Sequence, residues 1–268
     1  MGKTAIEWTN RTWNPLAGCQ IVSEACRNCY AMNEAYRLDV KLGQEKYRGL
    51  AKLTSAGQKL WTGQIRFWPK ALADVTPGQA PAMIFVNSMS DPYHADVEVD
   101  WLKRIFERMN LCSQHTFQIL TKRPERMLEV AHLVEWTPNI WQGVTIESEP
   151  HAGRADLLRV HPAAVRFISA EPLMGDLAQA LDLFGIDWLI AGGESGGDLG
   201  QIRRMSPQWA RNLRDLCRRE EVAFFFKQWG NWGEDGEWRG RFPKSETLDG
   251  VLHHNFPPIR SAPCRPIA

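Results

Sequence analysis

Cys19, Cys26 and Cys29 stand within "GCQIVSEACRNCYA", spaced C-x6-C-x2-C, and make up half of the chain's six cysteines. Thiolates are soft metal ligands, and a C-x2-C pair is a common two-ligand grip on zinc or on an iron–sulfur cluster. A structural zinc needs a fourth ligand. None lies nearby in sequence, although His94 could supply one through the fold. A disulfide would leave one thiol over and suits a reducing compartment poorly. Three thiolates on a 4Fe–4S cluster leave one iron open to a small molecule. The spacing therefore predicts a metal site with one position kept for a ligand. Cys112, Cys217 and Cys264 are scattered and read as small buried hydrophobes or bystanders.

Further chemistry-bearing residues follow short apolar runs. They are Asn87-Ser88-Met89-Ser90-Asp91, Thr121-Lys122-Arg123, Thr145-Ile146-Glu147-Ser148, Ser169-Ala170-Glu171-Pro172, Gly192-Gly193-Glu194-Ser195 and Lys227-Gln228-Trp229. Any one carboxylate is ordinarily a helix cap or a solvated loop charge. Asp91, Glu147, Glu171 and Glu194 together would form one acidic rim over an apolar core, which describes a ligand site. Lys122, Arg123 and Lys227 would neutralise a carboxylate or a phosphate. "GGESGG" lets the backbone come close to something, because glycine carries no Cβ. His94, a lone histidine after "SMSDPY", reads as a satisfied loop residue or a ligand. Tryptophan is abundant at 12 residues. Core packing explains most of them, and base-stacking platforms are the functional alternative, with Trp13 a candidate.

The elements that would position these groups are legible as runs of strand length. They begin at Met83, Phe117, Asn139, Val165, Asp187 and Val222, with Thr12–Gly18 as a first strand. Each is continuously apolar rather than alternating, which suits parallel strands buried on both faces. Helical spacing recurs between them. Val99, Leu102, Ile105, Phe106 and Met109 form one stripe, "PERMLEVAHLVE" a second helix, and Ser206-Pro207 opens a third. Alternating strands and helices imply right-handed crossovers. The expected fold is α/β, a full or partial (β/α) TIM-type barrel of about six to seven parallel strands. A doubly wound open sheet is the alternative. Residues 30 to 53 read as one or two helices and "GQIRFW" as a short extra strand. One domain spans 1–268, with the barrel in 1–229 and a Trp/Gly/Pro-rich cap in 230–268.

A formal net charge of +1 announces no global field for nucleic acid. No apolar run is long enough to span a membrane, and the N-terminus lacks a signal-peptide core. A cytoplasmic location is expected.

The chain resembles the radical S-adenosylmethionine (SAM) superfamily through its cysteine loop after the first strand. It more closely resembles a phage-associated family of radical-SAM-like proteins encoded near three-Cys-motif partner proteins. That likeness runs through "IEWTNRTWNPLAGC", "CRNCYA", "FVNSMSDPYH", "LTKRPERM", "WQGVTIE", "VRFISAEPLMG", "WLIAGGESG", "FFFKQWG" and "LDG". "C-x2-C-Y-A" is also similar to spore photoproduct lyase. The resemblance implies a 4Fe–4S cluster on Cys19, Cys26 and Cys29, with SAM on the open iron. One-electron cleavage of SAM would give a 5′-deoxyadenosyl radical that takes a hydrogen atom from the substrate. It further implies an external one-electron donor and a nucleic acid or nucleotide as substrate.

Within that resemblance the SAM amino group falls to Ser88, Ser90 and Asp91, with Glu194 competing and Glu147 toward the ribose. Glu171, Gly192, Gly193 and Ser195 complete the cofactor set. Lys122, Arg123, Lys227, Gln228, Trp13 and His94 are left for the substrate. The first cysteine gap is six rather than the superfamily's usual three, and Asn28 stands where an aromatic often precedes the third cysteine. Two rivals compete. One is a non-catalytic zinc-binding module for nucleic acid or protein. The other is a metal-free barrel hydrolase working through the acidic rim.

Overall fold

The computed structural model describes residues 2–196, 202–240 and 245–258. Its centre is an eight-stranded sheet whose spatial order follows chain order. The strands are β1 (Gly2–Lys3), β2 (Arg11–Trp13), β3 (Met83–Val86), β4 (Thr116–Thr121), β5 (Ile140–Thr145), β6 (Arg166–Ala170), β7 (Trp188–Gly192) and β8 (Ala223–Gln228). From β2 to β8 every pairing is parallel, and only β1 runs antiparallel. Neighbours in sequence are neighbours in space, so a doubly wound order is excluded. Among the described residues β1 and β8 do not pair with each other, and the curled sheet is a partial barrel.

The expected first strand, Thr12–Gly18, is split. Arg11–Trp13 joins the sheet, while Leu16–Ala17 leaves it to pair antiparallel with Arg66–Phe67. Asn87 Oδ1 accepts from Leu16 N–H at 3.0 Å where the chain turns away. The expected short strand in "GQIRFW" is therefore present, with an unforeseen partner.

Residue alternation sorts the strand side chains to two faces. Outward-facing Ile84, Ile119, Val144, Ile168, Leu189 and Phe226 join a core with the helices. Those helices are α2 (Val99–Leu111), α3 (Pro124–Ala131), α4 (Arg154–Arg159) and α5 (Pro207–Arg219), preceded by α1 (Tyr30–Tyr36) in the long β2–β3 connection. Helix α5 begins at Pro207, whose fixed φ suits the first turn, and buries Ala210, Leu213, Leu216 and Cys217 along one stripe. The β6–β7 crossover has no helix, and buried Leu173, Leu177, Leu181, Leu183 and Ile186 cover the sheet instead.

The inner face carries a second cluster: Trp8, Phe85, Trp141, Phe167, Trp188, Ile190 and Phe225. Trp8 packs 4.8 Å from Phe85 and 6.3 Å from Trp188 between ring centroids. The segment before β2 thus fills the hollow of the curl from below, leaving room only near the carboxyl ends of the strands.

Of the expected C-terminal cap, residues 241–244 and 259–268 lie outside the described residues. In the described part of the tail, Phe226 N–H donates to His253 O at 2.7 Å and Asn255 N–H to Phe224 O at 3.2 Å. The tail pairs along β8, whose edge would otherwise present bare backbone groups. Cys264 lies outside the described residues. Among the described residues, no helix is long and apolar enough to cross a membrane.

His161 makes a testable mark on stability. It is 1% exposed and meets Trp136 edge-on at 4.3 Å. Ala163 N–H donates to its Nδ1 at 3.2 Å. Burial, with Arg166 adding, pushes its pKa down to about 3. An unfolded histidine titrates near 6.5, so between these values the unfolded chain binds the extra proton. Stability therefore falls as pH drops below about 6.5, by up to roughly 1.4 kcal/mol per pH unit. In urea titrations at pH 7 and pH 5, wild type is expected to lose about 2 kcal/mol more than His161→Asn. His94 and His115 are depressed in the same direction by burial and leave a residual slope in the variant.

Candidate functional site

The cysteine loop, residues 18 to 30, crosses the carboxyl ends of the strands. Gly18 N–H donates to Met89 O at 3.1 Å, which ties the loop's start to the end of β3. A short turn of helix spans Glu24–Cys26, and Cys29 N–H donates to Cys26 O at 3.1 Å before α1 begins at Tyr30. Beneath the loop lies a cavity of about 250 Å³. Cys19, Cys26 and Cys29 all line it, with Ile6, Trp8, Phe85 and Leu120 below and Thr145, Ser169, Glu171 and Lys227 at the side.

Each of the four rim carboxylates has its own base. Asp91 meets Arg123 at 2.9 Å, Glu147 meets Arg154 at 2.9 Å, Glu171 meets Lys227 at 2.6 Å, and Glu194 is bound by Arg203. Three of these pairs also hold the cysteine loop. Arg123 reaches Cys19 Sγ at 4.0 Å and Gln20 O at 3.5 Å. Glu147, wholly buried, accepts from Ser23 Oγ. Glu194 accepts from Asn28 Nδ2 at 3.1 Å, while Arg203 donates to Glu24 O at 3.1 Å. The Glu171–Lys227 pair makes no hydrogen bond to the loop. Ser169 Oγ supports it at 3.2 Å.

The rim is thus a set of neutralised clamps rather than an open acidic surface. Sequence reasoning missed Arg154, Arg203 and Ser23, and read Asn28 only as a departure from an aromatic position. A weak signal existed, since Arg154 and Arg203 each follow their acid by less than ten residues.

Of the residues singled out beforehand, Ser88, Ser90, Asp91, Lys122, Glu171, Gly193, Glu194, Ser195 and Lys227 line the cavity with the three cysteines. Others do not. Glu147 is turned into its pair with Arg154 and cannot face a ribose. Trp13 is fully buried in the outer core, with its Nε1 donating to Ala71 O at 2.7 Å. Gln228 is 1% exposed and braces Gly193 O and Gly230 N–H. His94 is buried outside the cavity lining, and its Nδ1 accepts from Asp96 N–H at 3.2 Å. Gly192 packs against Lys227 Cβ, and Arg123 stands behind Asp91. Among the described tryptophans, only Trp8 lines the cavity.

The close approach expected of "GGESGG" is real, but its partner is the chain itself. A Cβ on Gly193 would overlap the Trp229 carbonyl, and one on Gly230 the Glu194 carbonyl. The two strand-end turns of β7 and β8 interlock there, and Gly193 N–H donates to Gln228 O at 2.8 Å.

Burial pushes the Cys19 thiol up to about 12, with Asp91 adding and Arg123 opposing. Burial also raises Cys29, with Cys26 adding and Lys122 opposing. The thiols are close enough to act on one another, and metal binding must displace their protons. Burial alone would depress Lys227, but Glu171 and Glu7 outweigh it and hold its charge. Among the described residues, no three His, Cys, Asp or Glu side chains are gathered at metal-binding distance. The three thiols nevertheless belong to one loop, fixed at several points, and line one cavity, and soft thiolates are ligands for zinc or an iron–sulfur centre.

Fold and site define an α/β protein with a curled, mostly parallel sheet and a thiol-roofed cavity at its carboxyl end. The chain belongs to the family described as "Protein of unknown function (DUF5131)", whose model matches residues 3–257. No curated protein and no solved structure matches it.

Proposed function

We propose that this protein is a radical SAM enzyme that modifies or repairs a nucleic acid or a nucleotide. The observation that carries the reading is the convergence of Cys19, Cys26 and Cys29 on one cavity at the carboxyl ends of a partial barrel. These cysteines would hold a 4Fe–4S cluster. With SAM bound and one electron from an external donor, such a centre supplies methionine and a 5′-deoxyadenosyl radical that takes a hydrogen atom from the substrate.

The chain's own residues do the rest. The pairs at Asp91, Glu147 and Glu194 keep the cysteine loop over the strand ends. Ser88, Ser90 and Ser195 offer polar contacts along the wall, and Ile6, Trp8, Phe85 and Leu120 exclude water from below. Asp91 and Glu194 are already held by Arg123 and Arg203, so they orient the wall more than they offer free lone pairs. Glu171 and Lys227 face the ligand as a pair. The substrate assignment, and a three-Cys-motif protein as partner, rest on the resemblance of the sequence alone.

Anaerobic reconstitution with iron and sulfide tests the reading. Brown protein that releases 5′-deoxyadenosine from SAM on reduction is expected. Cys26→Ala is expected to lose both the colour and the product. Colourless protein with one tightly held zinc, or activity that survives removal of all three cysteines, would overturn it.

A further inference from the structure

We propose that the β3–β4 side of the cavity seats an oxyanion of the substrate, a phosphate monoester or a carboxylate, on Lys122, Asn87 and Ser90. The inference rests on the enzyme reading above and extends it from the cofactor to the chemistry of the substrate.

The first observation is a charge left over. Of the two lysines lining the cavity, Lys227 is consumed by Glu171 at 2.6 Å. Among the described residues the Lys122 ammonium makes no ion pair or hydrogen bond, while its backbone N–H is held by Asp91 Oδ2 at 3.2 Å. Lys122 lines the same cavity as the three cysteines.

The second observation is a set of donors left over. Asn87 is 2% exposed, and its Oδ1 is fixed by Leu16 N–H at 3.0 Å. Among the described residues its Nδ2 has no partner, nor do Ser90 Oγ and Trp8 Nε1. All three residues line the cavity. A buried donor without an acceptor costs about 1–3 kcal/mol, and orphaned groups are rare enough to call for a ligand. Asn87 also sits at φ 62°, a left-handed conformation that asparagine tolerates better than most residues.

The surplus is one-sided. The residues on this side carry an ammonium together with a buried amide N–H, hydroxyl and indole N–H that have no acceptor among the described residues, and the nearby carboxylate Asp91 is already saturated. Such a wall complements an acceptor-rich anion.

Calorimetric titration of the chain, run both with and without SAM, tests this with nucleoside 5′-monophosphates, the parent nucleosides and succinate as probes. A monophosphate or succinate is expected to bind more tightly than an uncharged nucleoside. Lys122→Met should weaken that anion by about tenfold to a hundredfold, the usual worth of a charge-assisted hydrogen bond, with Lys122→Arg retaining most of it. Binding of monophosphates alone assigns a phosphate, and binding of succinate alone a carboxylate. Equal binding of nucleoside and monophosphate, no binding of either anion, or indifference to Lys122→Met would overturn the proposal. So would anion binding that appears only when SAM is omitted, since the wall would then serve the SAM carboxylate. Because the readout is binding rather than turnover, its failure is distinct from failure to load iron or cleave SAM.

Discussion

Glu147→Ala is expected to lower the thermal midpoint by about 10 °C, from a loss of about 3–5 kcal/mol at 2–4 °C per kcal/mol. The carboxylate is wholly buried, and Arg154 has only 11% of its side chain exposed. Deleting one partner leaves the other charge in a poorly hydrated place, and that penalty dominates. Arg154 would keep only its bond to Thr145 O at 2.7 Å. Arg154→Ala should cost as much for the mirror reason. The double variant should cost clearly less than the two singles summed, and a denaturant series on all four proteins measures the coupling. A second readout separates this from plain destabilisation. Glu147 also anchors Ser23, so iron retained per chain after reconstitution should fall in Glu147→Ala at temperatures where it remains folded. Retention equal to wild type would remove Glu147 from the positioning of the thiols. By contrast, the exposed pair between Arg214 and Asp249 should contribute little.

Gly230→Ala is the second large effect. The residue sits at φ 83°, in the left-handed region, and its added methyl would overlap the Glu194 carbonyl. Backbone strain and collision act together, and a loss of at least about 3 kcal/mol follows. The turn cannot yield cheaply, because Asn231 N–H donates to Glu194 O from the same segment. Moving Glu194 would also disturb Asn28 and Arg203, its links to the cysteine loop. Urea midpoints of Gly230→Ala and of an open-space control, Gly240→Ala, check the claim. Both glycines have positive φ, but among the described residues only Gly230 has a neighbour in the way. Equal losses would show that backbone strain alone is responsible.

Much of the sheet was legible because its strands are buried on both faces. "MIFV", "WLIAG" and "AFFF" are apolar without a break, which marks them as strands rather than as half-exposed helices. Helix α2 was legible from its stripe. Helix α4 was not, since Arg154–Arg159 is too short for a period to emerge. The hairpin of Ala51–Leu53 and Lys59–Trp61 was missed because lysines alternate through it and no glycine pair marks its turn. The site divides along the same line. Strand ends are positions in sequence, so the polar residues there were identifiable. Their partnerships are facts of three-dimensional neighbourhood, and the acidic rim therefore looked like a binding surface when most of it is internal bracing. Trp13 misled for a related reason: an indole two positions from a cysteine-loop strand end looks the same in sequence whether it faces in or out.

The clamps also dictate when the site can exist. The thiol loop lies in the excursion between Trp13 of β2 and Val86 of β3, early in the chain. The groups that hold it come from Arg123, Glu147, Glu194 and Arg203, made progressively later. On the ribosome the three sulfurs therefore emerge long before anything can fix them. The roof closes only once Arg203 has been synthesised, so any inorganic centre is installed after the strands through β7 have been made.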